Sequence, residues 1–144
     1  MTDLGLAVGD HTQFSKTVSE SDVYLFAGIV GDFSANHVNE HAMRQTPFGG
    51  RIAHGALLVG YMSSCSTAMA QKAADNGCRG VPVALGFDRI RFIKPVRIGD
   101  TIRIDYVIAG VEAEARKSHA EVTVNNQDDE VVAVAHHIIK WVAE

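Results

Sequence analysis

The sequence predicts an α+β fold in which a curved antiparallel sheet wraps around one long helix. Three observations predict it. Residues 55–75 carry apolar side chains at helical spacing round most of the circumference. Later segments alternate apolar and polar residues with the period of a half-buried strand. The chain has 144 residues, 47% of them hydrophobic, enough for one sizeable core. A helix apolar nearly all round is a buried helix, and antiparallel strands with one apolar face supply its cover. The expectation is a single domain over residues 1–144.

The elements follow in order. Asp10 to Val18 reads as a first strand. Ser19 suits a helix N-cap, with Asp22 three residues later as the capping-box acid. Val23, Phe26, Ala27 and Val30 then recur at helical spacing, so Glu20 to Val30 is a short amphipathic helix, and Gly31 ends it. Residues 31–54 are irregular, with one helical turn near Glu40 to Arg44 and punctuation at Pro47, Gly49 and Gly50. An irregular stretch of that length in a compact domain is more often functional than not.

The long helix runs from Gly55 to about Asp75. Only Ser63, Ser64, Ser66 and Thr67 interrupt its first half, and Asn76-Gly77 closes it. Phe87 to Ile93 is a strand ending in a turn at Lys94-Pro95. Thr101 to Ile108 places Ile102, Ile104, Tyr106 and Ile108 on one face. Ala120, Val122 and Val124 alternate with His119, Glu121, Thr123 and Asn125, and Asn125 to Asp129 is a hairpin turn. Val131 to Trp141 is apolar on both faces, which fits a central strand covered on both sides. An open sheet of this kind leaves an edge that a second copy would cover, so a homodimer is expected.

Composition narrows the partners. The formal net charge of -4 does not suit a nucleic-acid binder. No run approaches the ~18 apolar residues of a membrane span, and the N-terminal M-T-D-L-G-L-A-V-G-D lacks a signal pattern. The expectation is a soluble cytoplasmic protein. Cys65 and Cys78 form no C-x-x-C pair and read as packed, reduced thiols.

Two stretches carry chemistry. V-G-D-F-S-A-N-H, residues 30–37, puts the carboxylate of Asp32 and the imidazole of His37 on one irregular segment. R-I-A-H-G-A-L-L, residues 51–58, opens the long helix at His54-Gly55. A carboxylate with an ordinary pKa of ~3.9 is a poor base near neutrality. An apolar pocket around Asp32, or the end of the preceding helix, is therefore expected to make it a better one. An imidazole titrates near neutrality and can both take and give a proton. The amides of the first helical turn, Gly55 among them, lack partners and attract negative charge. His54 is expected only to shape the turn. His37 and His41 stand four apart with Asp32 nearby, but H-E-x-x-H is absent and no metal is expected. His136 and His137 point to opposite strand faces and cannot chelate together.

These stretches carry a family resemblance. F-A-G-I-V-G-D-F-S-A-N-H, then T-P-F-G-G-R-I-A-H-G-A-L-L, then F-I-K-P-V-R-I-G-D-T-I closely resemble the MaoC-like dehydratases, which include the (R)-specific enoyl-CoA hydratases of fatty acid metabolism and have the hotdog fold. The resemblance runs from about Asp10 to Trp141. It implies hydration of a trans-2-enoyl-CoA to an (R)-3-hydroxyacyl-CoA, or the reverse, without a cofactor. Asp32 and His37 would share one water, and the Gly55 N–H would act as an oxyanion hole for the enolate oxygen. Ser63 matches a position where related hydratases carry a serine. It lies about 12 Å along the helix from Gly55, so its expected role is a bond to the Asp32 loop or simple packing in the core. Arg89, Arg91, Lys94 and Arg97 would contact the phosphates of coenzyme A or of a carrier-protein arm, or form an exposed strand face. Tyr61, Met62, Phe26, Ile29 and Phe33 would line an acyl tunnel or serve as core. Ala35 departs from the family, which often has proline there, and should loosen the loop slightly. The rival readings are a 3-hydroxyacyl-carrier-protein dehydratase, a hotdog thioesterase, and a non-catalytic acyl-binding subunit.

Overall fold

The computed structural model describes residues 3–143; the two N-terminal residues and residue 144 of the expected domain lie outside the described residues. The elements run β1 (His11–Thr17), α1 (Glu20–Val30), α2 (Ala35–Val38), α3 (Glu40–Arg44), α4 (Gly55–Asp75), β2 (Val81–Phe92), β3 (Thr101–Glu112), β4 (Lys117–Asn125) and β5 (Val131–Val142). The strands form one antiparallel sheet in the order β1-β3-β4-β5-β2, curved around α4 in the hotdog arrangement. Among the described residues no helix is long and apolar enough to cross a membrane.

Local chemistry explains the helix ends. The Ser19 hydroxyl accepts the Asp22 N–H at 3.1 Å, and the Asp22 carboxylate accepts the Ser19 N–H at 3.1 Å, a complete capping box. Gly31 takes φ 80°, and its N–H donates to the Ala27 carbonyl at 2.8 Å, closing α1. Both bounds of α4 fall where the spacing puts them.

The core lies between α4 and the concave face of the sheet. Leu57, Met62, Cys65 and Met69 meet Ile102, Ile104, Tyr106, Val122, Ile139 and Trp141, all buried. The alternation of β3 and β4 is the reason: every second residue turns inward. Cys65 and Cys78 are buried, unpaired thiols, and burial pushes the Cys65 thiol up to about 11.

Three expectations need correction. First, β2 begins at Val81, not Phe87. Pro82 and Gly86 disguise its first half, and a proline is tolerated because β2 is an edge strand. Second, α4 is not covered all round. Ala56, Gly60, Ser63, Ser64, Thr67 and Ala68 are exposed, because a single sheet covers one side of the helix only. Third, β5 is interior to the sheet but buries one face. Val132, Ala135, His137, Ile139 and Trp141 point into the core, whereas Val134, His136, Ile138 and Lys140 stay half-exposed on the convex side.

The turn α2 was not anticipated; it starts at Ala35, the position where the family often has proline. Ser34 has φ -54° and ψ 141°, the region that a residue before proline prefers. Nothing among the described residues accepts the Ala35 N–H. Proline suits the first helical position. Ala35→Pro is therefore expected to stabilise the protein by about 0.4–1 kcal/mol, read as a raised urea midpoint with unchanged slope.

Candidate active site

Asp32 and His37 come together because α2 turns the chain back after α1. The nearest oxygen and nitrogen, Asp32 Oδ2 and His37 Nε2, are 3.9 Å apart. His37 is buried, and its Nδ1 lies 2.7 Å from the Ile52 carbonyl. A carbonyl only accepts, so Nδ1 carries the hydrogen and Nε2 presents a lone pair toward Asp32. Two acceptors at that separation suit one bridging water that donates a hydrogen to each. The other Asp32 oxygen accepts the Ser34 N–H at 3.2 Å.

The apolar pocket expected around Asp32 is absent from the single chain: its side chain is 51% exposed. The apolar cavity lies on the His37 side instead. It encloses about 320 Å³ and is lined by Phe48, Ile52, Gly55, Leu58, Phe92 and Pro95, among others. None of the five residues offered for an acyl tunnel lines it. Met62 belongs to the core, Phe26 packs its ring edge on His54, Tyr61 packs near Phe14, and Ile29 and Phe33 are exposed.

Gly55 opens α4 on the cavity wall, and among the described residues nothing accepts its N–H. Phe92 explains why this position is glycine. A Cβ on residue 55 would lie 2.6 Å from the Phe92 ring. Phe92 is 54% exposed and able to swing aside. Gly55→Ala is therefore expected to fold normally and displace the ring from the cavity wall. The loss in kcat/KM should be about 100-fold, with partial recovery in Gly55→Ala/Phe92→Ala.

The other predicted residues divide. Ser63 is exposed, makes no hydrogen bond to the Asp32 loop, and lines a second cavity with Ser66, Thr67 and Ile139. Lys94 lines the main cavity and pairs with Glu130. Arg97 donates to the Phe48 carbonyl near the cavity rim. Arg89 and Arg91 are exposed on the outer edge strand; Arg89 sits at φ 52° within a register shift, and Arg91 donates to the Ile90 carbonyl at 2.8 Å. The basic run does not converge on one point. His41 is exposed beside Gln45, away from the pair.

Two residues carry more than their sequence context suggests. His54 is buried, stacks on His37 with ring centres 3.7 Å apart, and donates from Nε2 to the Asp32 carbonyl at 3.0 Å. It thus ties the Asp32 loop, His37 and the start of α4 together. Asp32, His37 and His54 each place a ligand atom within 4.8 Å of the others, a spacing that a cation would accept. His54 Nε2 is already engaged with the Asp32 carbonyl, so its buried Nδ1, without a partner among the described residues, is the atom it has left to offer. Arg51 is the second. Its Nε donates to Glu40 at 2.6 Å, and one terminal nitrogen donates to Glu20 at 2.6 Å and to the Tyr24 hydroxyl. This fork clamps α1 and α3 to the segment that delivers Ile52 and His54. Its only sequence signal is its place three residues before His54.

A carboxylate 3.9 Å from an imidazole that lines an apolar cavity, beside an open helix N-terminus in a hotdog fold, fits a class of acyl-thioester enzymes. The family profile described as "MaoC like domain" matches residues 5–131, and the chain belongs to that family. It is 37% identical over 108 residues to an (R)-specific enoyl-CoA hydratase of Rhodospirillum rubrum, covering 75% of this chain and 69% of that protein. It is 33% identical over 135 residues to a 3-hydroxybutyryl-CoA dehydratase of Methylorubrum extorquens, covering 94% and 80%. The unliganded R-hydratase PhaJ1 of Pseudomonas aeruginosa superposes with a TM-score of 0.80 at 25% identity, covering 99% and 86%.

Proposed function

We propose that this protein adds water to a trans-2-enoyl thioester to give an (R)-3-hydroxyacyl thioester, and catalyses the reverse dehydration. The observation that carries this reading is the 3.9 Å gap between two acceptors, Asp32 Oδ2 and His37 Nε2, with His37 on the cavity wall. A water in that gap donates a hydrogen to each and turns a lone pair toward the substrate. As its oxygen attacks the β-carbon, one proton passes to the Asp32–His37 pair. The α-carbon then takes one proton, and the net reaction adds H and OH across the double bond. Negative charge develops on the thioester oxygen in between, and the Gly55 N–H is the donor for it. Hydration is redox-neutral, so this reading requires no cofactor.

Coenzyme A esters are the substrates we favour, because both relatives above are named for them. A carrier-protein thioester is the second candidate, since a relative from Mycobacterium tuberculosis, 28% identical with 99% of the chain covered, is named a 3-hydroxyacyl-thioester dehydratase with no carrier specified. A homodimer is part of the reading. Val81, Leu85, Phe92 and Ile93 are exposed along or beside the edge strand β2, and Leu25, Ile29 and Phe33 are exposed on or just after α1, in the stretch of chain that carries Asp32. A second copy covering these would also dry the carboxylate. The cytoplasm is the proposed location, in keeping with two unpaired thiols.

The test is incubation with crotonyl-CoA, following the enoyl absorbance and free thiol together. Loss of absorbance without thiol release supports a hydratase. Thiol release instead assigns the protein to the thioesterases. No change with crotonyl-CoA or its carrier-protein ester points to the non-catalytic reading.

A further inference from the structure

The convex face of the sheet, remote from the cavity, carries a hydrogen-bonded row of four titratable side chains that the reaction does not use. Glu112 lies at the end of β3, His119 and Glu121 on β4, and His136 on β5. The Glu112 carboxylate accepts from His119 Nε2. The Glu121 carboxylate accepts from His136 Nδ1 at 2.9 Å. His119 Nδ1 and His136 Nε2 then face each other at 3.1 Å. The two imidazole side chains are 25% and 23% exposed, within reach of a solute ion. Asp88 of β2 is the register partner of His136, Lys117 stands opposite Glu112, and Lys140 opposite Lys117.

The proton inventory constrains this row. An ionised carboxylate only accepts, so the two outward ring nitrogens carry hydrogens. With both rings neutral, the two inward nitrogens present lone pairs to one another, which is repulsive at this distance. A cation removes the conflict: a proton between the two nitrogens, or a metal ion to one side of the line joining them, about 2.0–2.1 Å from each. A histidine whose far N–H is held by a carboxylate has its tautomer fixed, its ring oriented and its free nitrogen made more basic, the usual preparation of a metal-binding imidazole. Here both rings are prepared in this way, and their free nitrogens lie 3.1 Å apart.

We propose that His119 and His136 bind one divalent transition-metal ion of the zinc class on the outer sheet surface. Glu112 and Glu121 hold the rings from behind, and water fills the remaining coordination positions. Imidazole nitrogens select such ions over magnesium and calcium, which prefer oxygen ligands. The site is independent of the hydratase reading and stands or falls without it.

The experiment is calorimetric titration of the full-length, untagged and chelator-stripped protein with zinc chloride near neutral pH. Wild type is expected to take up one ion per chain. His119→Asn/His136→Asn should lose that binding, and Glu112→Gln/Glu121→Gln should weaken it about 10–100-fold, each variant melting as wild type does. The graded loss in the glutamine variant separates a ligand site from a folding defect. No uptake by wild type would overturn the proposal and leave a shared proton between the rings. Undiminished uptake by the asparagine variant would overturn it too, placing the ion elsewhere, such as at Asp32 and His37.

Discussion

Asp32→Asn is expected to lower kcat about 100- to 10,000-fold, the range for removal of a positioned acid–base group. Asparagine keeps the shape, and its oxygen can still accept the Ser34 N–H, which lies 3.2 Å from Asp32 Oδ1. Its amide cannot take a proton from water, and its NH₂ would point a donor at the His37 lone pair. Because the side chain is 51% exposed, the melting temperature should not move. His37→Gln should cost a similar factor, and the double variant little more, because on the proposed reading the two groups act as a unit on one water. Crotonyl-CoA hydration at saturating substrate checks this. Full kcat in Asp32→Asn would sink the assignment of the pair.

The second large effect concerns stability. His137 is fully buried on the concave side of β5, stacked on Phe87 at 4.1 Å, with Nδ1 2.8 Å from the Tyr106 hydroxyl and no partner for Nε2 among the described residues. Burial, with the neighbouring His136 as a smaller cause, lowers its pKa from 6.5 to about 4. The unfolded chain takes up this proton as pH falls through 6.5, whereas the folded chain takes it up only near 4. Between those values the unfolded state binds more protons, so stability falls as pH drops, by about 3 kcal/mol in all. The contribution is fully present above pH 6.5. Lys72 and Arg51 lower the pKa of Asp10 and Glu40, respectively, and losses from these carboxylates enter only toward the acid end of the window. Urea unfolding from neutral to mildly acidic pH measures the slope. His137→Gln should be less stable at neutral pH but flatter across the window. An equal slope in both proteins would remove His137 as the cause.

Much of the frame was legible from local chemistry. Ser19, Asp22 and Gly31 set α1 because caps act within a few residues, and Gly55 and Asn76-Gly77 bound α4 for the same reason. The half-exposed alternation of β3 and β4 reports directly which face is buried. The first half of β2 was not legible, since Pro82 and Gly86 read as breakers until the strand is known to lie at an edge.

By itself the sequence determined α1, α3 and α4, the periodicity of β3 and β4, and the nearness of Asp32 to His37, which are only a short turn apart. Those depend on contacts between residues close along the chain, where spacing and residue type suffice. Tertiary structure alone decided which nitrogen of His37 faces Asp32, through the Ile52 carbonyl. It also set His54 against that ring, laid Phe92 over Gly55, and brought His119 to His136 instead of leaving His136 beside an unreachable His137. The physical reason is common to all four. Each joins segments whose meeting depends on sheet register and on how the loop after α1 packs against α4, and these are settled by burial of the whole core, not by any local pattern.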